Sequence, residues 1–273
     1  MKKALYGLKQ APRAWNSKID KYFHQSGFIK YPYEHTLYFK IKNGDFLIVC
    51  LYVDDLIFTG SNPSMFKDFK KEMTMEFEMT DIGLMAYYLD IEVKQKEDEI
   101  FISQKSYTKE ILKKFKMDDY NLISTPMECE IKLFKDNETE KVDPTLLKSL
   151  VGCLRYLTCT RPDILFATGF VSHYMEAPTT TYFKAAKRIF RYLKDTIDFG
   201  LYYSVSNDYK LVGYSDSDWA GDSDDRKSTT GFVFFLGDTA FTWMSKKQPI
   251  VTLSTCEVEY VATTTCVSHA IWL

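Results

Sequence analysis

Two β-rich runs, HTLYFKIK (residues 35–42) and DFLIVCLYV (45–53), flank Asn43-Gly44, and the second runs straight into a pair of aspartates, Asp54 and Asp55. Asn-Gly between apolar runs is the strongest short-range hairpin signal, because both residues tolerate positive φ. LIFTG (56–60) resumes the strand pattern, so the two carboxylates are predicted at a tight turn between apolar strands. Most aspartate pairs belong to surface turns. A pair at the end of a buried strand is different, because like charges repel and burial disfavours ionisation. A hard divalent cation is the natural compensation. Magnesium held by carboxylates, phosphates and water is the usual device of phosphoryl transfer.

Elements can be placed around this turn from periodicity. Trp15, Ile19, Tyr22 and Phe23 recur at helical spacing after LYGLKQAPRAW, and a second helix is predicted over 63–77, with Met65, Phe69, Met73 and Phe77 on one side. Strands follow at 87–93 and 99–104, a helix at 106–116, and a polar loop at 118–143. Helices at 144–157, 162–175 and 179–194 each begin with Pro or Thr, as helix N-termini favour. Four strands are expected from Phe199 onward (FGLYYS, KLVGYSDS, TTGFVFFLG, TAFTWMS), then a helix over 254–273.

Composition narrows the class. At 273 residues, 45% hydrophobic and 26% charged, the chain is a globular protein with room for about two domains. A formal net charge of −2 argues against a surface that is nucleic-acid-binding throughout, although a local basic stripe stays possible. The six cysteines form no CxxC pair, which points to a reducing intracellular compartment rather than a disulfide framework. No run of about 18 apolar residues suggests a membrane span, and no signal peptide is visible.

The motifs LYGLKQAPRAW, LYVDDLIFTG, MTDIG, SQKSYTKEIL, STPM, VGCLRYL, TRPDI, SDSDWAGD, DRKSTTGFVFFLG, WMSKKQP and STCEVEY follow one another along nearly the whole chain. Together they resemble copia-type retrotransposon Pol polyproteins, in the region of reverse transcriptase and ribonuclease H. The resemblance implies an α+β chain: a partial palm and thumb of antiparallel strands and helices over 1–130, a helical connection over 131–198, and an incomplete ribonuclease H-like α/β domain over 199–273. It makes Asp54 and Asp55 catalytic magnesium ligands and places Gly7, Lys9 and Pro12 near incoming nucleotide and template. Residues 87–93 become the primer grip and the helix 106–116 part of the thumb. The partners implied are an RNA template, a DNA primer, an RNA–DNA hybrid, dNTP and the remainder of the Pol polyprotein, with no membrane.

Lys184, Lys187, Arg188, Arg191 and Lys194 form a basic stripe on the helix 179–194. Lys187 and Arg191 are candidate phosphate contacts, and a merely solvated face is an equal reading. In GYSDSDWAGD and STCEVEYVA, the resemblance makes Asp216 and Glu259 two of four ribonuclease H carboxylates that hold metal. Asp218 and Glu257 are neighbours that could exchange roles with them. The family takes a third polymerase carboxylate from a strand upstream of LYGLKQAP, and two further ribonuclease H aspartates from beyond the last helix. The chain is therefore expected to be a fragment, inactive alone, with apolar surface left exposed and poor solubility. Leu89-Asp90 stands where the family has Leu-Gly; if that position takes positive φ, Asp adds strain and charge. A non-catalytic nucleic-acid-binding relic is the alternative.

Overall fold

The computed structural model describes residues 9–128, 140–205 and 209–273. The chain is a mixed α+β protein with antiparallel sheets, divided into two compact units, 1–85 and 86–273.

In the first unit, helix α1 (Ala11–Gln25) starts with proline in its first turn and precedes strands β1 (Ile29–Lys30), β2 (Leu37–Lys42), β3 (Asp45–Tyr52) and β4 (Asp55–Gly60), then helix α2 (Pro63–Phe77). The sheet order is β1-β2-β3-β4, antiparallel throughout. Asn43 and Gly44 both take positive φ, 55° and 87°, and so make the tight turn that the Asn-Gly pair demanded. α2 occupies the predicted span, with Asn62 as N-cap accepting from Ser64 N. Ile19 and Phe23 of α1 and Phe69 and Met73 of α2 are buried against Tyr38, Leu47, Val49 and Leu51 of the sheet. Phe23 stacks or tilts against Phe28, Tyr38 and Phe69 at 4.7–6.3 Å. Such aromatic pairs add to simple area burial.

The second unit begins with β5 (Tyr87–Tyr88), β6 (Ile91–Gln95) and β7 (Glu99–Ser103), followed by helix α3 (Lys105–Lys114). Helices α4 (Pro144–Leu157), α5 (Leu165–Ser172) and α6 (Thr180–Asp195) supply its core, where Leu147, Leu150, Leu154, Ile189, Phe190 and Leu193 are buried. The helix expected over 162–175 is two pieces, a 3₁₀ turn at Pro162–Ile164 and then α5. Buried Arg161 shapes that break: its guanidinium grips Asp163 and reaches Thr196 O at 3.0 Å, beyond the C-terminus of α6.

One strand lands elsewhere than expected. FGLYYS, read with the last group of strands, forms β8 (Leu201–Ser204) and pairs antiparallel with β7, giving a sheet in the order β5-β6-β7-β8. Four β runs in series carry no mark of which edge each one joins, and β7 offered a free edge. The remaining strands, β9 (Leu211–Ser217), β10 (Thr229–Leu236) and β11 (Thr239–Lys247), form a three-stranded antiparallel sheet with β10 in the centre. Helix α7 (Thr255–Trp272) packs on β9 and β10 through Val258, Ala262 and Cys266. Gly213 of β9 lies opposite Phe234, and a Cβ there would meet the ring at 2.5 Å. Among the described residues, no helix is long and apolar enough to cross a membrane.

Candidate active-site residues

Asp54 and Asp55 occupy the connection between β3 and β4, where Tyr52 pairs with Asp55 across a two-residue turn of Val53 and Asp54. Both carboxylates are exposed. Neither forms a hydrogen bond or ion pair with the other described residues. Val53 has φ +52°, a left-handed conformation that a β-branched residue adopts only when its surroundings impose it. Part of that imposition is visible: the Trp15 indole Nε1 donates to the Val53 carbonyl, and the Trp15 ring meets Phe77 edge-on at 5.3 Å. The helix that ends the LYGLKQAPRAW motif thus holds the turn that carries the aspartates. Sequence reading placed Trp15 only on an apolar helix face. Its position at the end of that motif was the available signal.

Lys9 and Pro12 lie at the N-terminal end of α1, both exposed, and Gly7 lies outside the described residues. The chemistry of the donor set fits magnesium, since both groups are hard carboxylate oxygens. The set is incomplete: among the described residues no three His, Cys, Asp or Glu side chains converge to hold a metal.

In the second unit Asp216 is on β9 and Glu259 on α7, the helix that packs against that strand. Both are exposed, and among the described residues the Asp216 carboxylate accepts only from its neighbour's amide, Ser217 N, at 2.8 Å. Their sequence neighbours are engaged differently. Asp218 Oδ1 accepts from Thr229 N at 2.6 Å and ties the strand end to β10. Glu257 completes a capping arrangement, with its amide donating to Ser254 Oγ at 3.2 Å and its carboxylate accepting from Leu253 N at 2.6 Å. Asp218 and Glu257 are therefore engaged in local structure, by contacts that Asp216 and Glu259 do not make with the described residues.

The basic stripe of α6 is largely occupied. Arg188 pairs with Glu128 at 2.6 Å, Arg191 Nε donates to Asn121 O at 2.7 Å, and Lys194 Nζ donates to Tyr120 O at 3.0 Å. Lys187 lies over the rings of Tyr120 and Phe183. These contacts fasten the segment 120–128 to the helix.

At the hairpin of β5 and β6, Leu89 and Asp90 have φ +47° and +57°, so the position where the family pattern has glycine does require the left-handed region. The Tyr87 hydroxyl donates to Asp90, and this bond to a carboxylate holds the phenol up at about 12. Tyr156 OH donates to the Leu89 carbonyl.

Comparison with known proteins bears directly on these motifs. Residues 1–129 match the family described as reverse transcriptase (RNA-dependent DNA polymerase). Over all 273 residues the chain is 36% identical to the retrovirus-related Pol polyprotein from transposon RE1 of Arabidopsis thaliana, covering 19% of that protein. It is also 36% identical to the Pol polyprotein from transposon TNT 1-94 of Nicotiana tabacum, covering 21% of it. An uncharacterized mitochondrial protein of Arabidopsis thaliana is 38% identical over 227 residues, 83% of this chain and 94% of that protein. The chain belongs to the copia-type Pol polyprotein family of retrotransposons. It contains the reverse transcriptase-like region of that family and spans about a fifth of the length of the curated Pol relatives it matches. No solved structure matches it significantly.

Proposed function

We propose that Asp54 and Asp55 form part of the metal-binding turn of an RNA-directed DNA polymerase, within a palm and thumb over residues 1–130. A helical connection follows over 131–198, and a ribonuclease H-like layer over 199–273 contributes Asp216 and Glu259 to a second, hydrolytic site. The observation that carries the reading is the turn itself. Two adjacent carboxylates without partners among the described residues are presented between paired strands, at a backbone held in a strained conformation by Trp15.

Magnesium, when bound, would neutralise charge on the attacking and leaving oxygens of an in-line displacement. The chain's own contribution is two oxygen donors per site, and each site needs further carboxylates from elsewhere in the polyprotein. Lys9 and Pro12, at the start of α1, would lie toward template and nucleotide; residues 87–93 would lie toward the primer. The substrates are then an RNA template, a DNA primer and dNTP, with the RNA–DNA hybrid as substrate of the second site.

The test compares this chain with a longer Pol polypeptide that contains it. The chain alone is expected to show no magnesium-dependent primer extension. The longer polypeptide is expected to extend a DNA primer on RNA, and to lose about 10²–10³-fold or more in rate when Asp54 and Asp55 are changed to Asn. Extension unaffected by those two changes would remove the reading.

A second reading, a non-catalytic nucleic-acid-binding relic, is favoured by Asp90. At φ +57° this residue puts a carboxylate on the hairpin tip that the first reading turns toward primer phosphates. It is tested by hybrid binding that weakens with salt in a longer polypeptide that does not extend primers.

A further inference from the structure

A cleft of about 380 Å³ opens in the second unit between the C-terminal end of α4, the length of α5 and the edge formed by β10 and β11. None of the residues assigned above to either metal site lines it. The volume is at the lower end of the range of about 300–1,000 Å³ that small ligands occupy, which suits a single nucleotide and excludes a duplex.

The lining is chemically one-sided. Arg155, His173, Lys246 and Lys247 contribute to it, and no carboxylate does. Lys247 is neutralised from behind by Asp222 and by Asp225 at 2.9 Å. Arg155 and Lys246 form no ion pair with the described residues. Arg155 is instead steered across the cleft from α4 to α5, donating to Ser172 Oγ at 3.0 Å, while that hydroxyl donates to Gly169 O at 2.7 Å. Two cations without counter-ions in one concavity raise the local concentration of anions.

Two further features point to a ligand with both a phosphate and a flat apolar part. Thr168, 1% exposed, lines the same cleft, and its buried Oγ1 has no hydrogen-bond partner among the described residues. A buried hydroxyl left without a partner is costly. Phe166 and Phe170 stack one turn apart on α5 with centroids at 6.2 Å, and Phe166 is 42% exposed. The walls are tied together, since Trp243 Nε1 of β11 donates to Thr158 O at the end of α4 at 2.9 Å. The cleft is therefore a preformed shape.

We infer that this cleft docks one nucleotide of a single-stranded nucleic acid, its phosphate between Arg155 and Lys246 and its base against Phe166. Single-strand sites elsewhere combine these elements, a basic groove along the backbone and aromatic faces for the bases. The inference deepens the nucleic-acid reading of the chain without using either metal site. It adds phosphate contacts separate from the basic stripe of α6.

The experiment is fluorescence anisotropy of the full chain with a labelled oligo-uridylate of six nucleotides over a series of salt concentrations. Arg155→Gln with Lys246→Gln is expected to weaken binding about tenfold or more and to reduce the salt slope by about 1.4, at about 0.7 for each single-strand phosphate contact. Phe166→Leu is expected to weaken binding about fivefold or more, with the slope unchanged. Unaltered circular dichroism of each variant separates lost contacts from lost folding. Thr168→Val, which leaves the cations and ring in place, serves as a second probe, with a smaller loss expected.

Wild-type binding that both variant sets leave untouched would overturn the cleft and keep the nucleic-acid reading. Equal competition by a duplex, with Phe166→Leu silent, would overturn the single-strand assignment. No binding of any oligonucleotide by the wild-type chain would overturn the cleft as well, and primer extension by the longer polypeptide would still decide the polymerase reading by itself.

Discussion

Arg161 shows how a single residue of a motif can serve the fold rather than the chemistry. It is 3% exposed, bonded to Asp163 through two nitrogens and to Thr196 through both the carbonyl and the hydroxyl. Tyr192 OH adds a bond to Asp163 at 2.8 Å. Burial pushes the Asp163 carboxyl up, but the guanidinium and the phenol outweigh it and hold the acid below its ordinary 3.8. Arg161→Ala removes the cation from a partly buried carboxylate, which keeps the Tyr192 hydroxyl, and takes one of two donors from the Thr196 carbonyl; it is expected to cost about 3 kcal/mol, read as a shift in urea midpoint. Because the folded carboxyl lies below its unfolded value, its stabilisation is complete above pH 3.8 and disappears as pH falls through the lower folded value. Acid titration of unfolding is expected to show that loss in the wild type and not in Arg161→Ala. An identical acid limb in both would remove Asp163 from the account.

At the scale of elements, helix ends show what was legible and what was not. α1 stops at Gly27, φ +82°, with Phe28 N bonded to Phe23 O at 2.9 Å and Gly27 N to His24 O at 3.2 Å. α3 stops with the same bonding, Met117 N to Leu112 O at 2.8 Å and Lys116 N to Lys113 O at 3.0 Å, but with Lys116 at φ +54°. Both ends close in the Schellman manner, and only the first is signalled by glycine. Lys116 is exposed and bears the left-handed cost that an L side chain carries. Lys116→Gly is therefore expected to stabilise the second unit by about 1 kcal/mol in chemical denaturation.

The same contrast runs through the rest of the chain. The Asn43-Gly44 turn, α2 and α4 were readable because turn chemistry, caps and periodicity all agree there. The pairing of β8 with β7 was not, because strand partnership is a long-range choice that local pattern does not encode. The aspartate turn was legible from its strands, whereas the indole bond that steadies it joins residues 38 positions apart. The stripe of α6 shows the converse, since sequence spacing gave no sign that several of its charges bond to the chain's own carbonyls and to Glu128.

At the scale of the whole molecule, the two units draw on separate apolar cores. Phe23 is 0% exposed in the first, among Phe28, Tyr38 and Phe69; Leu154 is 0% exposed in the second, among the helices α4 to α6. Removing either side chain loses burial and leaves a cavity, so Phe23→Ala is expected to cost about 3–5 kcal/mol and Leu154→Ala about 2–5 kcal/mol. A chain with two cores need not unfold in one step, and a single midpoint is then not a defined quantity. Denaturation should be followed by hydrogen exchange at amides of β3 and of α6 separately. Phe23→Ala is expected to speed exchange in β3 and leave α6 unchanged, Leu154→Ala to do the reverse, and the double variant to show both losses summed to within about 0.5 kcal/mol. Loss of protection in α6 from Phe23→Ala would mean that the units fold as one cooperative body. The aspartate turn, built on β3 and steadied by α1, would then depend on the helices of the second unit for its geometry.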